Sequence, residues 1–478
     1  MPERSSVTAP IPTRDSVDTG SAPRTTFTNT IRIRLRTPAR LRNLELVLLV
    51  FACGIVALAL VLVQLGALGK VDTTTLSLSA GLAVLVLAMH VVMRVVAPNA
   101  DPLILPIITV LNGIGIAEIY RIDIAAGRTG WDALGIKQIV WTGMAITIAI
   151  AVLLIIRNHR VLQRYRYIAM FTGVVLLLLP MLPGIGRTIS GARVWIGIGP
   201  FSFQPGELAK VALAIFFAGY LVTARDSLSM VGRKFLGMTF PRARDLGPII
   251  VVFAASMIVL VFQKDLGTSL LYFGLFLVML YVATGRASWI VLGLALFAGG
   301  AFVAYTALSY VNGRVQGWLN AFSDKDYTAH TNGSFQIVQG IFGLAHGGFT
   351  GTGLGRGRPN TTPLAFSDFI FSSLGEELGL IGVFAILALY LLFVSRGFRI
   401  GFAGPDDFGR LLGVGLSFVI ALQVFIVIGG VTRVIPLTGL TTPFLAAGGS
   451  SLVANWIIAA LLLRLSDTVR TQPGVVIE

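Results

Sequence analysis

The sequence predicts an all-α polytopic membrane protein with about twelve transmembrane helices. Three observations lead there. The 478 residues are 55% hydrophobic and only 12% charged, and the mean hydropathy is +0.84. Apolar runs of about 20 residues, the length that crosses a bilayer as a helix, recur through the chain. No run alternates with period two over about ten residues, as a transmembrane β-barrel requires.

Residues 1–43 are polar, rich in Ser, Thr and Pro, and end in Arg32, Arg34, Arg36, Arg40 and Arg42. They read as a disordered, basic cytoplasmic tail with no cleavable signal pattern, so the first span is expected to be an uncleaved anchor. Spans are expected over about 44–67, 75–97, 102–120, 135–156, 165–183, 205–223, 247–263, 268–284, 287–308, 372–395, 411–430 and 444–464. The third is weak, because it carries Asn112, Gly113, Gly115 and Glu118. A cytoplasmic tail is expected over 466–478.

Loop charge sets the expected orientation. Basic loops occur at Arg157 through Arg166, at Arg225 through Arg244, and at Arg396, Arg399 and Arg410. With twelve spans these share the cytoplasmic face with both termini. The outer face then receives residues 184–204, the Gln263–Lys264–Asp265 turn, a long loop over 309–371 and the loop 430–443. The net charge of +15 is scattered between spans, which fits loops against anionic lipid and not a nucleic-acid surface.

Unusual polar residues collect on that outer side. Asp368 closes the long loop where Phe369, Ile370 and Phe371 open a span. A carboxylate at the membrane margin is a functional candidate, since ionisable groups at membrane depth are costly. The alternative is a solvated helix N-cap, and the residues leave both readings open. Arg193 and Gln204 lie between spans, and Glu207 and Lys210 open one, three apart on one helical face where they can pair. Lys264 and Asp265 precede another span, Glu376 and Glu377 enter the span after Asp368, and Arg433 follows a Gly-Gly step. Each could be a structural ion pair, but together they suit a cavity for an anionic, polar-headed substrate.

The run Gly351-Thr-Gly353-Leu-Gly355-Arg-Gly357 lacks the strand and helix of a nucleotide-binding loop. It is expected to be a tight re-entrant loop whose backbone amides approach a substrate. The lone Cys53 reads as inert packing, and no His/Cys spacing indicates a zinc site.

Several motifs in order carry a resemblance. They are Gly-Ala-Arg193-Val-Trp-Ile-Gly, Phe-Gln204-Pro-Gly-Glu207-Leu-Ala-Lys210, Lys264-Asp265-Leu-Gly-Thr, Gln336-Ile-Val-Gln-Gly, Gly353-Leu-Gly355, Ser-Asp368-Phe-Ile-Phe with Gly-Glu376-Glu377-Leu-Gly, and Pro436-Leu-Thr-Gly439-Leu-Thr-Thr-Pro443. Over about 102–465 the chain resembles the SEDS family, which holds RodA, FtsW and SpoVE. The resemblance implies a ten-span core there, with 44–97 as two added helices of the kind seen in RodA-like actinobacterial members. It implies a peptidoglycan glycosyltransferase that polymerises lipid II at the outer face of the cytoplasmic membrane, with a class B penicillin-binding protein as partner. The family's essential aspartate matches Asp368. The Glu and His that often precede it are replaced here by Leu364 and Phe366, and Gln-Pro-Ser-Glu becomes Gln-Pro-Gly206-Glu. Thr438 stands where FtsW-like members often have Lys, which favours a RodA-like role.

The expected mechanism follows from that resemblance. Asp368 acts as general base on the acceptor hydroxyl. Arg193, Lys210, Lys264 and Arg433 are the candidates for holding the leaving diphosphate, with Mg²⁺ or another divalent ion on a carboxylate as the one cofactor considered. A lipid-precursor flippase and a non-catalytic scaffold are the other classes open to a chain of this composition. The third span, with Asn112 and Glu118, is the only hint of a transport path.

Overall fold

A computed structural model describes residues 38–189, 191–198, 201–228, 234–235, 238–239, 247–328 and 334–471. The expected tail over 1–37, the end of the expected C-terminal tail over 472–478, and most of the basic loop between 229 and 246 lie outside these residues. Ten described helices are long and apolar enough to cross a membrane. Two shorter apolar helices, Arg166–Met181 and Ile249–Gln263, occupy the expected fifth and seventh spans. The fold is an all-α polytopic membrane bundle.

The helices are α1 (Pro38–Leu68), α2 (Thr73–Val96), α3 (Ile104–Ala125), α4 (Leu134–Ile155), α5 (Arg160–Arg164), α6 (Arg166–Leu178), α7 (Pro205–Leu228), α8 (Gly247–Ile258), α9 (Leu266–Thr284), α10 (Ala287–Ala307), α11 (Ser309–Leu319), α12 (Asp324–Tyr327), α13 (Phe335–Gly347), α14 (Ile370–Phe402), α15 (Asp407–Val431) and α16 (Gly449–Thr471). Thus α1 starts at Pro38 inside the segment expected to be disordered, and α16 runs through 466–471, expected as tail. Residues 184–204, expected as loop, contain an antiparallel sheet of β1 (Gly186–Ile189), β2 (Ala192–Ile198) and β3 (Phe201–Phe203). Gly186 pairs with Ile196, and Ile196 with Phe203.

The weak third span has a physical cause. Helix α3 is enclosed by protein, so it needs no lipid-facing apolar stripe; its mean hydropathy is 1.4 where that of α1 is 3.3. Asn112, Glu118, Arg121 and Asp123 are all buried on it. Its glycines accept close neighbours: a Cβ on Gly113 would lie 2.1 Å from Val56 of α1, and one on Gly115 would lie 2.3 Å from the Leu445 carbonyl.

Helix α14 is the exception to regular geometry. At Gly379 the backbone takes φ 66° and ψ −170°, which breaks the helix in two. Membrane interiors do not tolerate unpaired backbone groups. The segment after α13 supplies partners for both broken ends. Thr352 N and Gly353 N donate to the carbonyls of Glu376 (3.0 Å) and Glu377 (2.9 Å), while Leu380 N and Ile381 N donate to the carbonyls of Gly348 (3.0 Å) and Phe349 (3.2 Å). The approach demands glycine. Gly351 has φ +81°, and a Cβ there would sit 2.2 Å from the Glu377 carbonyl oxygen.

Gly351→Ala is therefore expected to lose about 2–4 kcal/mol from left-handed strain and overpacking combined. Gly54→Ala on α1, where a Cβ meets nothing within 4 Å, is expected to be neutral. Thermal unfolding of the two variants in detergent checks the contrast.

Candidate active site

The chain up to α14 makes a sharp turn. Leu364 takes φ +54°, Ser367 N donates to the Leu364 carbonyl at 2.9 Å, and Ala447 N donates to the Phe366 carbonyl at 2.8 Å. These bonds pin the Ser367–Asp368 step beside the start of α16. Asp368 is not an N-cap: Phe369 holds the cap position, and no side-chain capping bond is made. Instead Asp368, 9% exposed, lines a cavity of about 970 Å³.

Its Oδ1 accepts from Ser367 Oγ at 2.9 Å. Among the described residues nothing bonds to Oδ2. Burial raises the Asp368 carboxyl to about 6, against the Ser367 bond and the positive charge of Arg314, while Asp265 pushes it further up. Such a group is poised to gain or lose a proton near neutrality.

The rest of the wall comes from distant parts of the chain. Helix α4 contributes Lys137, Gln138 and Trp141, and the sheet contributes Trp195. Gln204, Lys264 and Asp265 line it from the starts of α7 and α9, and α11 brings Tyr310 and Arg314. Thr438 and Gly439, from the segment between α15 and α16, complete the lining. Asp265 caps α9, with Thr268 N donating to its Oδ1 at 2.9 Å. Burial lifts the Asp265 carboxyl above its ordinary value despite the Thr268 bonds. The side-chain amines of Lys137 and Lys264 have no partner among the described residues. A mixed polar and apolar wall with two unpaired lysines, indole rings and one free carboxylate oxygen can hold an anionic sugar-bearing ligand and remove a proton from it.

Residues 102–471 match the family model of FtsW, RodA and SpoVE, described as cell cycle protein. The chain belongs to this family. It is 46% identical over 443 residues to the peptidoglycan glycosyltransferase RodA of Mycobacterium tuberculosis, covering 90% of this chain and 92% of that protein. Its fold is similar to a chain solved in a peptidoglycan synthase complex, described for its coordination of polymerization and crosslinking, with TM-score 0.60, 28% identity, and coverage of 78% of this chain and 99% of that one. The crystal structure of the rod shape determining protein RodA of Thermus thermophilus matches with TM-score 0.53 and 26% identity over 78% of this chain and 98% of that one.

Within this family member, only part of the expected set of site residues meets at the cavity. Asp368, Gln204, Lys264 and Asp265 do. Glu207 and Lys210 do not line it: Lys210 Nζ bonds Glu207 Oε2 at 2.6 Å, Gln423 Oε1 at 2.8 Å and Asn455 Oδ1 at 2.9 Å, deep between α7, α15 and α16. Arg193 staples the sheet to the end of α6 through the carbonyls of Pro180 and Leu182, at 3.1 and 3.2 Å. Arg433 donates to the carbonyls of Trp318 and Leu319 at 2.7 and 2.9 Å. With their donors engaged by carbonyl oxygens of their own chain, these two sit apart from the Asp368 cavity.

Glu376 and Glu377 are also structural here. Glu377 accepts from Gly355 N at 2.8 Å, Gly357 N at 3.1 Å and Arg121 Nε at 3.1 Å. Glu376 accepts from Arg358 N at 2.9 Å and bonds His346 at 3.0 Å. The glycine run therefore turns its amides onto a buried carboxylate, not onto a substrate, which corrects the sequence expectation for that loop. The reason is local, since Glu377 would otherwise be an unpaired charge beside the α14 break.

Sequence reasoning missed Arg314 and Lys137. Both left a signal. Arg314 is the only charged residue between Ser309 and Ser323, and Lys137 the only one within α4. Among the described residues no three His, Cys, Asp or Glu groups converge on a metal site. The Asp265 oxygens are already used by Thr268. The described residues thus offer no cage of three such side chains for a resident divalent ion.

Lys210→Met is expected to cost about 3–5 kcal/mol, because it strands Glu207 in the bundle. Lys264→Met, which breaks no bond, is expected to leave stability within about 0.5 kcal/mol. Unfolding midpoints in detergent separate a structural cation from a ligand-facing one.

Proposed function

We propose that the chain polymerises lipid II into glycan strands, as an inverting peptidoglycan glycosyltransferase serving cell elongation and shape. The carrying observation is Asp368: buried, raised to about 6, with Oδ2 free on the wall of a large cavity lined by both polar and apolar side chains. In this reading Oδ2 takes the proton from the acceptor's sugar hydroxyl as that oxygen attacks the donor's anomeric carbon. The bond to the polyprenyl diphosphate breaks, and the diphosphate leaves. Lys264 and Lys137, which have no partner among the described residues, are the cavity cations placed to meet its charge. Preorganised charge facing a developing anion often contributes more to catalysis than any other single effect. Gln204 and Asp265 are proposed to contact the sugar-bearing substrate. A divalent cation would arrive with the diphosphate and not in a protein cage.

The basic ends support the expected orientation. His159 and Arg160 bond Asp406, and Arg225 bonds Asp407, so two of the basic loops meet the loop before α15 on one face. Arg470 and Arg396 pair with Asp101, and Arg42 bonds the Ala100 carbonyl. The start of α1 and the end of α16 therefore share that end, which we assign to the cytoplasm. Asp368 and its cavity then open outward, where lipid II is polymerised. We assign α1 and α2, which precede the matched residues 102–471, as an addition to the family core.

The flippase reading loses its support, because Asn112 bonds Thr142 and Glu118 bonds Ser373 inside the bundle. A RodA-type role is favoured over FtsW by the close RodA relative and by Thr438 in the cavity wall. The partner is proposed to be a class B penicillin-binding protein. The similar chain solved within a synthase complex supports this.

The test is in vitro polymerisation of lipid II by protein co-reconstituted with its cognate transpeptidase, with glycan strands read on a gel. Wild type is expected to make strands, and Asp368→Asn to lose at least about 10²-fold in rate. Because the carboxyl sits high, its ionised form is lost as pH falls. Wild-type rate is expected to drop as pH descends through about 6 and to level off above it. Full activity in Asp368→Asn would remove the proposed base.

A further inference from the structure

Arg314 has an unusual relation to Asp368. Its charge acts on the carboxyl, yet the two form no ion pair. Arg314 Nη1 instead donates to the Leu437 carbonyl at 2.8 Å. Gly439 lies between the two side chains with φ +83°, and a Cβ there would be 3.8 Å from Arg314 Nη1, from Arg314 Nη2 and from Asp368 Oδ2. Acid and guanidinium thus face each other across a glycine-floored slot.

An ion pair would cover the oxygen that a base needs. The absence of any nearby cation would leave a buried carboxylate with only Ser367 to stabilise its charge. The tether to Leu437 avoids both outcomes. We propose that Arg314 is the positioning residue for the base: held off Asp368 by the Leu437 carbonyl, it keeps the carboxylate charged from across Gly439 while leaving Oδ2 open to the acceptor hydroxyl. This rests on the glycosyltransferase reading and deepens it.

Other groups around the cavity do not duplicate the effect. Those facing it are Lys137 from α4, Lys264 and Asp265 before α9, Tyr310 beside Arg314 on α11, and Tyr327 from α12. Asp265 acts in the opposite direction on Asp368, and Arg314 is the cation that lowers it. Tyr310, pushed up to about 12 by burial, is neutral across the working range.

The experiment compares pH–rate profiles of polymerisation for wild type, Arg314→Gln and Arg314→Lys in the same reconstituted system. Removing a nearby positive charge raises a carboxyl by roughly one pH unit or more. Arg314→Gln is expected to move the acidic limb up by about that much, costing roughly tenfold in rate below it. Arg314→Lys is expected to keep the limb near its wild-type position while lowering the plateau. A limb that stays in place in Arg314→Gln overturns the proposal. If Arg314→Gln makes no strands, infrared titration of the carboxyl band that disappears in Asp368→Asn gives the same answer without turnover. A raised midpoint supports the proposal, and an unchanged one overturns it. Failure of wild type to make strands would sink the glycosyltransferase reading, whereas the infrared midpoints still decide the link between Arg314 and Asp368.

Discussion

A helix inside a membrane cannot leave backbone donors and acceptors unpaired, and α14 breaks at Gly379. The site depends on how that constraint is met. The loop after α13 lays its amides and carbonyls into the gap and satisfies both ends. The first piece of α14 can then leave the line of the second without an energetic penalty for bare backbone. Asp368 sits at the far end of that first piece. Glu377 reinforces the arrangement by gathering Gly355, Gly357 and Arg121 onto its carboxylate. A loop that looks like a ligand cradle is a clamp on the break in α14, the helix that Asp368 precedes.

The charges in this protein sort by whether their partners are complete. Lys210 has three acceptors and Glu377 has three donors, so each is a satisfied buried ion. Arg193 and Arg433 spend their donors on carbonyls and act as staples. Asp368 Oδ2, Lys137 and Lys264 remain open toward one cavity. Polar groups are expensive to bury without partners. Of these three only Asp368 is buried, so its unpaired Oδ2 is the atom whose burial calls for a use outside the chain, while Lys137 and Lys264 are solvent-reachable cations on the same wall. The same sorting separates Arg314 from the rest: its bond to Leu437 fixes it, and the guanidinium faces the slot over Gly439.

The spans, the family and the place of Asp368 just before a span were legible in the sequence because each is carried by local pattern. Hydropathy reads lipid-facing surface, so it found α1 clearly and undervalued α3, which faces protein. Pairing over long separations was not legible. Lys210 meets Asn455 across 245 positions and Arg121 meets Glu377 across 256. Without those partners, structural and substrate-facing charges look alike. The sheet at 186–203 was hidden in a short stretch that reads as loop. Arg314 was hidden because 309–371 reads as one polar connection, whereas α11 and α13 divide it and line the cavity.

Everything in the proposed reaction turns on the acceptor hydroxyl reaching Asp368 Oδ2 in the cavity between α4 and α11. The most direct measurement is a structure of the protein with lipid II bound. The expected result is a sugar oxygen about 2.6–3.2 Å from Asp368, as a general base requires, with the diphosphate beside Lys137 and Lys264. A substrate seated instead in a second groove, lined by Trp318, Phe322, Leu344 and Arg433, with Asp368 facing empty cavity, would contradict it.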